Sequence, residues 1–123
     1  MIQEDKQLLL VDLCSRLPYY CVKCQFEDTV RVTDGESDPF YDYVLSARHL
    51  DLFINHKNFY IKPYLRPMSS MTEEEKINYR AFFNYDGVEY PEEYIDWLNK
   101  NMFDYRGLIE KGLALKAPEG MYI

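Results

Sequence analysis

Residues 18–26 read Pro18-Tyr19-Tyr20-Cys21-Val22-Lys23-Cys24-Gln25-Phe26. Tyr20, Val22, Cys24 and Phe26 alternate with Cys21, Lys23 and Gln25, the period of a strand with one buried face. The chain before Pro18 repeats differently. From Glu4 to Leu17 the apolar residues Leu9, Leu10, Leu13, Cys14 and Leu17 follow helical spacing, and Asp5, Lys6, Asp12 and Arg16 are expected on the opposite, solvated side. Pro18 ends that helix, because it lacks an N–H and restricts Leu17. A helix therefore hands over to a sheet at this point.

Downstream of that junction, Glu27-Asp28 suits a turn, and Thr29-Val30-Arg31-Val32-Thr33, rich in β-branched residues, reads as the returning strand of a hairpin. Thr33-Asp34-Gly35-Glu36-Ser37-Asp38-Pro39 is a cluster of turn formers. In Tyr41 to Ile54, Tyr41, Tyr43 and Leu45 alternate, as do Leu50, Leu52 and Ile54, which fits two short strands joined near Ser46 to His49. A turn at Asn55-His56-Lys57-Asn58 leads to a strand from Phe59, and Pro63 and Pro67 restrict residues 62–67 to an edge or an extended connector.

The last third is helical. Thr72-Glu73-Glu74-Glu75 has the form of a capping box, and its acids suit the helix dipole. Asp86-Gly87 makes a turn. Pro91 opens a second helix at the position proline tolerates best, with Tyr94, Trp97 and Leu98 on its apolar side. Arg106 to Leu113 reads as one or two further turns closed by Gly112. The expected fold is α+β: an N-terminal helix, a small antiparallel sheet of four to five strands, and C-terminal helices packed on it, in one domain spanning 1–123.

The 123 residues carry 14 Lys+Arg against 21 Asp+Glu, a net charge of −7. Both ends are acidic, with eight acids and four bases in residues 1–40 and again in 81–123; residues 41–80 hold five acids and six bases. The 19 Phe and Tyr residues argue against disorder, since each ring buries a large apolar area. No apolar run approaches the ~18–20 residues of a membrane span. The acidic start Met1-Ile2-Gln3-Glu4-Asp5 is unlike a secretory signal, and three cysteines do not make a disulfide scaffold. A small intracellular domain is the expectation.

Chemical motifs are few. Cys21-Val22-Lys23-Cys24 has the spacing of half a zinc site, but a structural site needs four ligands. On the strand reading its two thiols point to opposite faces, and a redox pair would sit where a helix follows a strand. Cys24 therefore reads as a small buried hydrophobe, and neither metal nor cofactor is expected. His49 lies in an apolar stretch and reads as packed against a core or a groove; His56 lies in a polar turn and reads as solvated. No nucleophile elbow, phosphate loop or zinc-protease motif is present.

Asp12-Leu13-Cys14-Ser15-Arg16-Leu17-Pro18-Tyr19, Ile61-Lys62-Pro63-Tyr64-Leu65-Arg66-Pro67-Met68-Ser69-Ser70-Met71-Thr72-Glu73-Glu74-Glu75-Lys76, residues 103–115 from Phe103-Asp104-Tyr105-Arg106, and Ala117-Pro118-Glu119-Gly120-Met121-Tyr122 together resemble a family of small proteins encoded by gut bacteria and their phages. These phrases cover about a third of the chain and leave residues 20–60 uncovered. Family members often have Gly after the Leu-Pro-Tyr phrase, where this chain has Tyr20. The resemblance implies the cytoplasm of a bacterial or phage-infected cell. It brings no activity and no catalytic residue.

Tyrosine is the most unusual component, with 12 copies. Its apolar body and polar tip favour protein interfaces. Asp38-Pro39-Phe40-Tyr41-Asp42-Tyr43 mixes acids with aromatics and could dock on a basic partner, the acids steering the encounter. The leading expectation is a non-enzymatic, acidic protein-binding module with Phe40, Tyr41, Tyr43, Tyr60, Tyr64 and Arg66 as contacts. The alternative is a single-stranded nucleic-acid binder using the basic-aromatic segment 56–66 through Lys57, Lys62 and Arg66, against which the net charge weighs. An enzyme is third and would need a pocket joining His49 to carboxylates. No membrane partner is expected, and self-association is left open.

Overall fold

A computed structural model describes residues 1–19, 21–28 and 39–122. Helix α1 (Gln3–Arg16) runs into a single 3₁₀ turn, Leu17–Tyr19, that contains Pro18. Strand β1 (Lys23–Asp28) pairs antiparallel with β2 (Phe40–Val44) on one side and β3 (Phe59–Leu65) on the other. Helix α2 (Ala47–Asn55) connects β2 to β3. Next along the chain come helix α3 (Glu73–Ala81), a two-residue-per-strand hairpin of β4 (Phe83–Asn84) and β5 (Gly87–Val88), and helix α4 (Pro91–Lys100). Strand β6 (Leu115–Lys116) returns beside β3. The fold is α+β, with a main sheet ordered β2-β1-β3-β6 that is antiparallel over its first three strands and closed by a short parallel pairing of β6 to Tyr64 and Leu65. Among the described residues no helix is long and apolar enough to cross a membrane.

Several elements form where their residues require. Cys24, Phe26 and Asp28 face inward from β1, while Cys21 is exposed, so the two thiols of Cys21-Val22-Lys23-Cys24 do not meet. Burial holds the Cys24 thiol protonated, with Asp12 adding to the effect. Residues 62–65 belong to β3, which is an inner strand rather than the edge its prolines suggested; among the described residues Pro63 pairs only with Cys24 of β1, and β6 joins opposite from Tyr64 on, so no described ladder partner calls on the missing Pro63 N–H. Thr72 caps α3 as a full capping box: Glu75 N–H donates to Thr72 Oγ1 at 3.1 Å and Thr72 N–H to Glu75 Oε1 at 2.9 Å. The returning strand expected at Thr29–Thr33 lies outside the described residues; the described partner of β1 on that side is β2.

Two expectations are corrected. Leu50, Leu52 and Ile54 are not a strand but part of α2, which buries Leu50 and Phe53, three apart, and leaves Ile54 exposed. Apolar residues there satisfy both periods, and the helix start decides: Ser46 N–H donates to His49 Nδ1 at 3.0 Å, and His56 N–H donates to the Leu52 carbonyl to close the far end. The buried face of α1 is also rotated. Leu9, Asp12, Leu13 and Arg16 are buried, whereas Cys14 is exposed. Charge placed Asp12 and Arg16 outside, but they satisfy one another inside.

That pair ties the termini together. Asp12 and Arg16 are both 0 % exposed, with Arg16 Nε and Nη2 donating to the two carboxylate oxygens at 2.9 Å. Arg16 Nη2 also donates to the Phe103 carbonyl at 2.8 Å, and Arg106 Nη1 donates to Asp12 Oδ1 at 2.7 Å. The chain reaches Phe103 through a Schellman turn after α4: Phe103 N–H donates to Leu98 O and Met102 N–H to Asn99 O. Met102 takes φ 60°, a position usually given to glycine, and its side chain is fully buried. Burial of that side chain, worth about 1.5–3 kcal/mol, offsets a left-handed backbone cost of about 1–2 kcal/mol.

A buried carboxylate or guanidinium without its partner is far costlier than the pair. Asp12→Ala is therefore expected to lower stability by about 3–5 kcal/mol in urea titrations, and the double variant Asp12→Leu/Arg16→Met to recover at least half of that loss. A loss below about 1 kcal/mol for Asp12→Ala would show the pair to be incidental.

Candidate functional site

The residues singled out for contact do not lie together. The register aligns Phe40 with Glu27 and Glu27 with Tyr60, so Phe40 and Tyr60 share a row on the outer face of the sheet, and Asp42, Gln25 and Lys62 form the next row. Tyr64 is on that face too, its hydroxyl donating to Asp42 Oδ1 at 3.0 Å; burial and that bond push its pKa up. Tyr41 and Tyr43 alternate to the inner face, opposite Phe26 and Cys24. Tyr41 stacks on Phe26 with centroids 5.2 Å apart.

Arg66 belongs to the interior framework. Its Nη1 and Nη2 donate to both Glu75 oxygens at 2.8 and 2.6 Å, and its guanidinium lies 4.2 Å from the Phe103 ring centroid. The Arg66 hydrogen bonds hold the Glu75 carboxyl below the usual range. Of the basic-aromatic segment 56–66, Lys57 and Lys62 are the exposed cations, Lys57 in the turn before β3 and Lys62 on the outer sheet face.

His49 is packed as its setting suggested. Its ring stacks on Phe26 at 4.1 Å between centroids and lies parallel to Phe59 at 6.5 Å. Because Nδ1 accepts from Ser46 N–H, the neutral ring carries its proton on Nε2. Burial, then the charge of Arg48, lowers its pKa. Among the described residues no three of His, Cys, Asp and Glu are grouped to hold a metal ion.

The most exposed apolar surface lies elsewhere. From residue 72 to residue 97 no side chain is buried. Helix α3 buries nothing, the β4–β5 hairpin is exposed on both strands, and α4 buries only Leu98 and Asn99 at its end. Tyr79, Phe82, Phe83, Tyr94 and Trp97 pack on one another with centroids 5.0–6.5 Å apart. Phe83 at the edge of this cluster is exposed, as are Ile77, Tyr85, Val88, Tyr90 and Ile95 around it. Tyr85 stands at the hairpin tip, where Asp86 N–H donates to Asn84 Oδ1 and Gly87 takes φ 120°. Burial and a hydrogen bond to Tyr79 push the Tyr94 pKa up to about 12, so it stays a neutral hydroxyl.

The same segment concentrates charge. From Glu73 to Lys100 eight acids face three bases, a net −5 out of the chain's −7. It is anchored at its root by Leu98, Phe103 and Met71, which are buried together, and by Tyr19 donating to Asp96 at 3.0 Å. Of these rings, the sequence placed Tyr94 and Trp97 on the apolar side of their helix. The signal that they stay outside was present in Ile77, set among Glu73, Glu74, Glu75, Lys76, Asn78 and Arg80 with no apolar partner at helical spacing before it.

Compared with protein-family models, curated proteins and solved structures, the chain matches none.

The neutral His49 gives a pH test. Its folded pKa lies below the unfolded value, so on acidification the unfolded chain binds this proton first, and the contribution of the neutral ring is present above about pH 6.5 and fades below it. His49→Gln keeps an acceptor for Ser46 N–H without titrating. Between pH 7.5 and 5.5 the urea midpoint of the native chain is expected to fall more than that of His49→Gln; parallel falls would show that His49 titrates as it does when unfolded.

Proposed function

We propose that this protein is a non-enzymatic binding protein whose acidic, ring-bearing segment from α3 through the β4–β5 hairpin to α4 engages a basic surface on a protein partner. The observation that carries this reading is the 26-residue run 72–97, which buries no side chain while exposing Ile77, Phe83, Tyr85, Val88, Tyr90 and Ile95. Clustered exposed apolar side chains rimmed by charge mark interaction sites more often than solitary ones do. Tyrosine gives large contact area with few rotors to immobilise, and clustered acids raise the encounter rate with a cationic partner. This keeps the tyrosine-and-acid logic of the sequence but moves its centre from Asp38–Tyr43 to residues 77–95. The bacterial or phage setting rests on the family resemblance.

Capture from a gut-bacterial lysate, with and without nuclease, tests the reading. A basic protein partner is expected to be retained after nuclease, lost in Tyr85→Ser/Tyr90→Ser, and retained in Phe40→Ser/Tyr60→Ser. Its association rate is expected to fall at least tenfold from low to 0.5 M salt, as charge steering is screened. Recovery that collapses with nuclease, or that survives the Tyr85/Tyr90 variant unchanged, contradicts it.

A further inference from the structure

A cavity of about 290 Å³ opens between α2 and the inner face of β1–β3, away from the α3–α4 segment. Its size is at the lower end of ligand sites, enough for one ring and a substituent. The walls are flat and apolar: Phe59 is buried, Leu52 closes one side, and Tyr41, Tyr43 and His49 present rings. The His49 and Phe59 rings lie within 6° of parallel, and with Tyr41 and Tyr43 they make the lining mostly aromatic. A planar ligand fits such a slot better than a globular one.

The polar groups around it are mostly donors. Arg48 and His56 line the cavity, and neither side chain makes a hydrogen bond or ion pair among the described residues. His49 has Nδ1 occupied by Ser46 N–H, which leaves its Nε2–H as the available polar atom. Among the described residues Asp28 is the one carboxylate in the lining, and it already has an interaction of its own within the protein. In a chain of net charge −7, an apolar slot rimmed by two imidazoles and by a guanidinium that has no ion-pair partner among the described residues is set for an anion.

We infer that this cavity binds a small aromatic anion, its ring between Phe59, Tyr41 and Tyr43 and its carboxylate or phosphate at Arg48 and His56. The recognition is independent of the α3–α4 surface. It also uses His49 as a hydrogen-bond donor rather than as a base.

Titration of the full chain by NMR, following the imidazole signals of His49 and His56, tests the site with three ring probes: benzoate, phenyl phosphate and benzamidine. At least one anion is expected to shift both imidazoles with a Kd at least tenfold below that of benzamidine, and the tighter anion identifies the carboxylate or phosphate class. Arg48 is exposed, so Arg48→Ala leaves the core intact; it is expected to weaken the anions at least fivefold and leave benzamidine unchanged. Benzamidine binding as tightly as the anions, unchanged anion binding in Arg48→Ala, or no imidazole shift with either anion up to about 20 mM, where so small a ligand has little affinity left to show, would each overturn the inference.

Discussion

Asp12 and Arg16 are a fully buried ion pair, and the chain after α4 is brought back to satisfy it through the Phe103 carbonyl and Arg106. Two charges removed from water are tolerable only when geometry is good and the remaining valences are met. Here the carboxylate takes three donors, two from Arg16 and one from Arg106, and Arg16 also holds the Phe103 carbonyl. Arg16 Nη1 has no hydrogen-bond partner among the described residues; the guanidinium instead lies 5.5 Å from the Tyr105 ring centroid. The requirement to bring Phe103 and Arg106 to Asp12 explains why the chain accepts a left-handed Met102 at the end of α4. It also explains the extended contact of Phe103 with Arg66, where Arg66 N–H donates to Met102 O and Asp104 N–H to Arg66 O.

From that anchor the molecule divides by burial. The sheet, α1, α2 and the segment 108–114 share one core, with Phe26, Ile61, Leu65 and Leu108 fully enclosed. Beyond the smaller cluster of Met71, Leu98 and Phe103, the chain from α3 to α4 depends on ring-on-ring contacts and caps. Such a segment is costly to expose unless its surface is used, since apolar area left in water forfeits about 25 cal/mol per Å². The two proposed binding surfaces also differ in charge. The α3–α4 segment carries most of the net negative charge, whereas Arg48, His49 and His56 line the α2 cavity.

Much of the fold was legible because local chemistry and global packing agree. Thr72 and Glu75 announced α3, Pro91 announced α4, and the alternation in β1 was read in register. The errors have physical causes. Asp12 and Arg16 look solvated at the sequence level because a pair four residues apart on a helix is ordinary surface chemistry, and nothing local reveals that Phe103 and Arg106 arrive to bury it. Residues 47–55 carry apolar side chains at both periods, so only the Ser46–His49 contact distinguishes helix from strand. The contact residues were scattered for a related reason. Phe40 and Tyr41 are neighbours in sequence, but a strand sends them to opposite faces, and Arg66 was taken from the surface by Glu75. The exposed rings of the α3–α4 segment were visible as residues but not as surface, because aromatic content alone does not say which rings find a core.

The ion pair locks a core to which the α3–α4 segment is attached without being part of it. Residue-resolved native-state hydrogen exchange tests this most directly. Amides of β1, β3 and α1 are expected to exchange only through global unfolding, while those of α3 and the first turns of α4 open at least about 2 kcal/mol more easily. Equal protection of α3 and β1 would contradict this, because the 72–97 segment would then be as much a part of the core as the sheet.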